Sequence, residues 1–451
     1  MRCSHYHDPN HRLNSWLQLY PLSKKNNLKG VCELNQSPKV TGSNGFYNLW
    51  WEEYRVAAKV DRLKSNSDHE VRGEVVFTSH DPATAGHLRQ TRLILTSTSA
   101  KNGLVKSLSE RIPSEDVPWD TIVETLCVIV LNNFRMGTEL LTVDGEIDVQ
   151  AQDKWLIEPI VLQGQPTLIY GKGASGKSYL AQYIATVADA GLNSNGLRVE
   201  PSRVLYLDWE TTPEEISSRV TRIRKGMDIS GELNLKYRQM TQGFAVDIET
   251  IRQHIQEHDI DLVILDSLGA ACMGEPESAE VVLRMFLALR SLNVSSICID
   301  HTNKEGALFG STYKYNMGRL IFECIKSQDE GSDILDFGLF NRKASNGRPM
   351  KPMGFRINFE DSNVVLTRKD VRDTELETEM TLADRIENIL SSGAQAPHEL
   401  ADRLDKSSSH IRQELFRGKQ KGKFIEVGEG KYGLPVRQEQ EGDKWKSDLV
   451  I

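Results

Sequence analysis

Long apolar runs are missing from this 451-residue chain: no stretch approaches the roughly 18 consecutive apolar residues of a membrane span. The opening MRCSHYHDPNHR has no apolar core of the secretory kind. Both absences predict a cytoplasmic protein with no membrane partner. Cysteine is scarce too. The six (Cys3, Cys32, Cys127, Cys272, Cys298, Cys324) lie far apart and four sit in or beside apolar runs, which favours buried thiols in a reducing compartment over a disulfide framework. No repeat of fixed period is present, which sets aside solenoids and propellers. Basic residues are outnumbered, 55 against 63 acidic, for a formal net charge of -8. Such a chain is not a whole-surface nucleic-acid binder, although a local basic patch stays open. What is present, 39% hydrophobic and 26% charged residues, describes two or three folded domains and excludes collagen, coiled coil and wholesale disorder.

Residues 1–45 mix His, Asn, Ser, Lys and Gly with little periodicity and read as an irregular lead. Cys3, His5, His7 and His11 are zinc-type ligands, but no second cluster completes a set of four. A small α+β domain of unassigned role is expected over 46–154. It opens on a helix-like NLWWEEYRVAAKVDRL and continues with two antiparallel strands, from the alternation of Val71, Gly73, Val75 and Phe77 and of Thr91, Leu93 and Leu95. Two helices follow, of which TIVETLCVIVLNNF is apolar almost all round. Trp50 and Trp51 suit a core; a stacking surface for single-stranded nucleic acid is the alternative.

From 155 to 368 the strands PTLIY, RVLYLD, DLVILD and SSICID alternate with amphipathic helices, the pattern of a parallel sheet covered on both faces. RLIFECIKS, DILDFGLF, GFRINF and NVVLTR predict antiparallel strands extending it. Segment 369–380, with five acids and one arginine between Asp370 and Glu379, reads as a solvated linker. A compact unit over 381–435 and a polar tail over 436–451 close the chain.

Gly171, Lys172, Gly173, Ala174, Ser175, Gly176, Lys177 and Ser178 match G-x-x-x-x-G-K-[ST] between a strand and a helix. Glycines there let backbone N–H groups turn around phosphate oxygens beside a helix N-terminus. Lys177 is expected to neutralise the β and γ phosphates and Ser178 to ligate Mg²⁺, making ATP and Mg²⁺ the expected ligands. Hydrolysis needs two further groups. Asp266, ending DLVILD, is the metal-side carboxylate; Asp208 and Glu210, two residues apart in RVLYLDWET, are expected to share a strand face, with Glu210 nearer the nucleotide and water-activating. A solvated strand-end acid is the alternative for Glu210.

A P-loop, a strand leading to Glu210, a strand ending in Asp266-Ser267 and a strand ending in His301 come in the order found in RecA-like ATPases. The arrangement most resembles the hexameric plasmid helicases of the RepA type. That resemblance implies a RecA-like P-loop core, a γ-phosphate-sensing role for His301 and a nucleotide-binding role for Arg219, nine residues after Glu210. LFNRKASNGRP is similar to the K-x-R-N-G-P segment of DnaB-type replicative helicases, through Lys343, Asn346, Gly347 and a displaced Pro349. The resemblance implies that Lys343 reaches a neighbouring subunit's γ-phosphate. Ser345 stands where the arginine belongs, which leaves Arg342 and Arg348 as alternatives. A shared site of this kind makes a homo-oligomer, a hexameric ring, the expected working form. Lys304, in the loop after His301, is the candidate DNA contact within the core.

The closing unit reads as three helices and a two-stranded wing, a winged helix whose core is Leu400, Leu404, Ile411, Leu415 and Phe416. Between Lys406 and Lys423 six basic residues (Lys406, Arg412, Arg417, Lys419, Lys421, Lys423) face one acid, Glu414. These, with His410 and with Lys431 in the wing, form the candidate DNA surface. Winged helices also bind proteins. The expectation is an α/β ATPase acting on DNA, a ring-forming helicase or translocase in replication or recombination of a mobile element. The alternative is an ATP-dependent DNA-binding regulator, loader or assembly protein that does not unwind.

Overall fold

The computed structural model describes residues 37–42, 45–67, 69–137, 154–275, 277–310, 312–329, 331–345, 347, 350–428 and 430–435. Most of the 1–45 lead with Cys3, His5, His7 and His11, the 436–451 tail, and Asn346, Arg348 and Pro349 lie outside these residues. The chain divides into two compact units, Met1–Leu140 and Leu141–Ile451.

In the first unit β1 (Lys39–Thr41), β2 (Tyr47–Trp51), β3 (Val56–Ser65), β4 (Val71–Ser79) and β5 (Gly86–Ile94) form an antiparallel meander in chain order. It is followed by α1 (Thr98–Ser109) and α2 (Trp119–Met136). The helix expected over NLWWEEYRVAAKVDRL is therefore two strands. Tyr47, Leu49 and Trp51, then Val56, Ala58 and Val60, are buried at a period of two. The helical spacing arises where these two periods meet across the turn at 52–55. The lead is not wholly irregular either, since β1 pairs with β2. Helix α2 is amphipathic rather than apolar all round: Ile122, Val123, Leu126, Cys127 and Val130 are buried, whereas Val128 and Met136 are exposed. Trp119 anchors this core, donating its indole N–H to the Ile112 carbonyl (2.8 Å) and standing edge-on to Phe77.

The second unit opens with β6 (Trp155–Glu158), β7 (Val161–Leu162), β8 (Pro166–Gly171), α3 (Lys177–Ala190), β9 (Arg198–Val199), β10 (Val204–Asp208), α4 (Pro213–Gly226), β11 (Lys236–Gln239) and α5 (Ile248–Glu257). It continues with β12 (Leu262–Asp266), α6 (Leu268–Cys272), α7 (Ala279–Ser291), β13 (Ser295–His301), α8 (Thr312–Met317), β14 (Leu320–Ser327), β15 (Ile334–Ala344), β16 (Met353–Phe359) and β17 (Val364–Lys369). Among the described residues the main sheet runs β11-β10-β12-β13-β8-β14-β15-β16-β17. One face packs on α3 and α4 through Leu180, Tyr183, Ile184 and Ile216, the other on α5 and α7 through Ile251, Val282 and Phe286. Burial on both faces is why its central strands are unbroken apolar runs. The expectation of four antiparallel extension strands needs one correction: β14 is parallel to β8, and antiparallel pairing begins at β15.

The expected solvated linker instead contains two 3-10 turns, Val371–Asp373 and Glu375–Glu379, that pack Val371 and Leu376 on Phe340. Two apolar residues, Val371 and Leu376, hold the segment to the sheet, while Asp370 and Glu379 are exposed. Beyond it α9 (Leu382–Ser391), α10 (Pro397–Leu404), α11 (Ser408–Gln420), β18 (Ile425–Gly428) and β19 (Lys431–Gly433) form three helices and a hairpin. Thr381 and Ser407 cap α9 and α11 with their hydroxyls. Leu400, Leu404, Ile411 and Leu415 are buried as expected, but Phe416 is 60% exposed. It lies about 100° round the helix from Leu415, and Phe424 fills the core in its place.

Candidate active site

Four strand ends meet at the C-terminal edge of the parallel strands. Across the ladder Asp208 is level with Asp266, and His301 with Gly171. Gly171 must lack a side chain, because a Cβ there would stand 2.3 Å from the Cys324 carbonyl oxygen of β14. Gly176 takes a left-handed φ of 88° as it turns the chain into α3. This turn is the structural form of the G-x-x-x-x-G-K-S motif, and its backbone runs between β8 and the N-terminus of α3.

Lys177 is buried inside the loop it belongs to. Its ammonium donates to the carbonyls of Gly171 (3.0 Å) and Lys172 (2.8 Å) and to the Ser175 hydroxyl (3.3 Å). Burial pulls its pKa below the usual lysine range, while Cys324, Asp266, Glu210 and Asp300 oppose that pull. Asp266 is buried at the end of β12 and accepts the Tyr206 hydroxyl at 2.7 Å. Burial pushes its carboxyl up, against hydrogen bonds from Tyr206 and Ser178. A serine hydroxyl and a carboxylate in mutual contact are hard oxygen donors of the kind Mg²⁺ prefers, so Ser178 and Asp266 fit the expected metal.

Glu210 and His301 meet at 3.3 Å, between glutamate Oε1 and imidazole Nε2. The hydrogen bond to His301, a second from Ser267 and the Lys177 charge hold the Glu210 carboxyl down at about 2, although partial burial works the other way. Asp208 and Glu210 do not share a strand face: β10 ends at Asp208, which is buried. The Asp208 carboxylate accepts the N–H groups of Glu210 (2.8 Å) and Thr211 (3.1 Å) as well as the Thr211 hydroxyl. It fixes the turn that presents Glu210.

Sequence reasoning missed a buried ion pair behind this edge. Lys314 of α8 donates to Asp300 Oδ2 at 2.7 Å, with the two side chains 0% and 1% exposed. Asp300 Oδ1 accepts the backbone N–H of His301 at 2.9 Å. Burial pushes the Asp300 carboxyl up, and Lys314 opposes it. The available signal was an acid inside the apolar run SSICID, which a low-dielectric interior tolerates only with a partner.

The structure brings Lys177, Ser178, Glu210, Asp266 and His301 together and sets other candidates apart. Lys343 is engaged within its own chain: its ammonium donates to the carbonyls of Tyr315 (2.8 Å) and Asn316 (2.9 Å) at the end of α8. Arg342 pairs with Glu323 at 2.8 Å. Arg219 pairs with Glu215 and lies over the Tyr179 ring, next to Ser178. Lys304 is exposed on the loop after His301 and lines a cleft with Ser267, Asp300, Asn303 and Phe309. In the closing unit Lys406, His410, Arg412, Arg417, Lys419, Lys421 and Lys423 are all exposed, and Lys431 is half-buried. Arg417, Lys419 and Lys423 are partly neutralised by Glu414 (3.6 Å), Glu426 (2.7 Å) and Asp384 (3.4 Å).

A P-loop after β8, with Asp266 at the end of β12 and Glu210 beyond β10, two and three strands away in the same parallel run, defines a P-loop nucleotide-binding domain built on a parallel-dominated α/β sheet. A family described as an AAA domain matches residues 134–307. Among solved structures, a KaiC-like protein of the archaeon Pyrococcus horikoshii OT3 is similar at 16% identity and a TM-score of 0.35, covering 47% of this chain and 93% of its own. The flagellar accessory protein FlaH of Methanocaldococcus jannaschii is similar at 16% identity and 0.33, covering 46% of this chain and 90% of its own. No curated protein matches the chain. Among the described residues no helix is long and apolar enough to cross a membrane.

Proposed function

We propose that the chain is an ATP-hydrolysing motor acting on DNA, a ring-forming helicase or translocase of the RepA-like kind. The observation that carries the hydrolytic part is the contact of Glu210 with His301 beside Lys177. Backbone N–H groups of the 171–178 loop and the α3 N-terminus bind the triphosphate, and Lys177 shifts from its own carbonyls to the phosphates. Ser178 and Asp266 would hold Mg²⁺, which would supply neutralisation of the charge developing on the phosphoryl oxygens. With its carboxyl near 2, Glu210 stays ionised at working pH and acts by accepting a hydrogen bond from the attacking water and orienting it. His301, hydrogen-bonded to Glu210, reports the loss of the γ-phosphate to the loop that carries Lys304. Arg219, stacked on Tyr179, borders the nucleotide.

DNA contact is assigned to the winged-helix-like closing unit, where Lys406, His410, Arg412 and Lys421 present an exposed basic face. A second reading, an ATP-dependent regulator or loader without unwinding, draws on the Lys343 contacts: a lysine held by Tyr315 and Asn316 has to let go before it can act as a finger. ATPase rate measured against DNA type and protein concentration tests both. Single-stranded DNA and rising protein concentration are expected to stimulate turnover, and Glu210→Gln to lower it by about 10²–10⁴-fold. Parent-rate hydrolysis by Glu210→Gln refutes the catalytic assignment. Turnover indifferent to DNA, or no strand displacement from a forked duplex, moves the reading to the regulator.

A further inference from the structure

The candidate active-site residues belong to the second unit; in the first, the sheet carries a concentrated positive charge of its own. One face of β2 to β5 packs on α1 and α2; the other presents the alternate residues. On this second face Lys64 stands opposite Arg72, and Glu74 lies between Asp61 on one side and Arg92 on the other. A β-bulge in β3 shapes the cluster, since three steps from Asp61 to Lys64 oppose two steps from Glu74 to Arg72. The extra residue lets Leu63 turn inward, onto Gly73, where a Cβ would stand 2.7 Å from its methyl group. Arg62 and Lys64, on either side of it, both line the open cleft. To do so Arg62 holds a left-handed φ of 53°, a conformation that non-glycine residues adopt at a cost.

The cleft is about 410 Å³ and is lined by Arg62, Lys64, Arg72 and Arg92 around the single carboxylate of Glu74. Glu74 is already occupied, by Arg62 at 3.1 Å and by the Gln90 amide. Arg72 has only a 4.0 Å approach to Glu70, and among the described residues no ion pair includes Lys64 or Arg92. Trp50 is on the same face, level with Ala57 and, through it, Thr78, and stands edge-on to His80. At ~3.3 Å per residue the six steps from Thr78 to Arg72 separate Trp50 from the cleft by roughly 20 Å. That span exceeds a single phosphate group and suits an extended polyanion with flat bases.

We infer that the open face of the N-terminal sheet binds single-stranded nucleic acid, with Arg62, Lys64, Arg72 and Arg92 holding phosphates and Trp50 stacking on a base. This extends the proposed function and rests on it only for the kind of polymer. The test is fluorescence anisotropy of a labelled twenty-nucleotide oligo-dT and of the matching duplex, with the full-length protein and no nucleotide. Arg72→Ala/Arg92→Ala is expected to weaken oligo-dT binding at least ten-fold. Its log–log salt slope should fall by about 1.4, or 0.7 for each lost phosphate contact. Trp50→Ala should weaken it five-fold or more, and Arg72→Lys/Arg92→Lys should restore most of the affinity. Duplex binding, assigned to the closing unit, should stay within two-fold, and circular dichroism should be unchanged. The inference is overturned if the parent protein does not bind oligo-dT, if the double alanine variant binds within two-fold of it, or if duplex binding falls equally. These are binding readouts without nucleotide, so their failure is distinct from failure of the motor reading, which is scored by turnover.

Discussion

Lys314→Met isolates what the buried pair does. The substitution keeps most of the side-chain volume but leaves the Asp300 carboxylate, 1% exposed, without its cation 2.7 Å away. Removing one partner of a buried pair costs about 3–5 kcal/mol. With roughly 2–4 °C per kcal/mol for a domain of 150–250 residues, the midpoint should fall by about 6–20 °C. The loss should depend on pH, and its sign follows from the Asp300 carboxyl, which burial already raises and Lys314 restrains. Without Lys314 the folded pKa rises further. Between the unfolded and folded values the folded state then holds more protons, so stability falls as pH rises through that window. The deficit should be larger at pH 8 than at pH 5, measured by thermal unfolding under circular dichroism. Asp300→Asn/Lys314→Met, in which the amide oxygen still accepts the His301 N–H, should recover more than half of the loss and its pH dependence. A single variant within 2 °C of the parent at pH 8, or one hurt more at pH 5, refutes the reasoning.

Two further outcomes follow from the geometry. His301→Ala removes the main cause of the low Glu210 pKa, so the carboxyl should climb from about 2 towards the ordinary glutamate range. The acid limb of the ATPase pH profile should move to higher pH with it, and an unmoved limb argues against Glu210 as the water-orienting group. Gly418→Ala in α11 ordinarily gains about 1 kcal/mol from helix propensity. Here the new Cβ would stand 2.2 Å from the buried Phe424 ring, so the sign should invert and the closing unit should unfold at lower denaturant, while Phe416→Ser at the exposed position changes little.

The parallel core was legible because burial on both faces leaves unbroken runs such as DLVILD, and the P-loop because its chemistry fixes residue types at fixed spacing. β2 and β3 were not, because the two-residue periods on either side of the turn at 52–55 imitate a helical one. The acids were legible only in part. Asp208 and Glu210 look alike in sequence, but the first is buried and spends its carboxylate on the N–H groups of the two residues that present the second. Asp300 and His301 repeat the arrangement, with a buried carboxylate accepting the N–H of the residue that meets Glu210. Each side of the Glu210–His301 contact thus rests on a buried aspartate that bonds its backbone. The two supports differ in charge balance. No salt bridge with Asp208 occurs among the described residues; hydrogen-bond donors, including the Thr211 hydroxyl, meet its carboxylate, whereas Asp300 has a full cation on α8. A rise of the His301 side should therefore carry α8 and its Lys343 contacts with it, while the Glu210 side moves only its own turn.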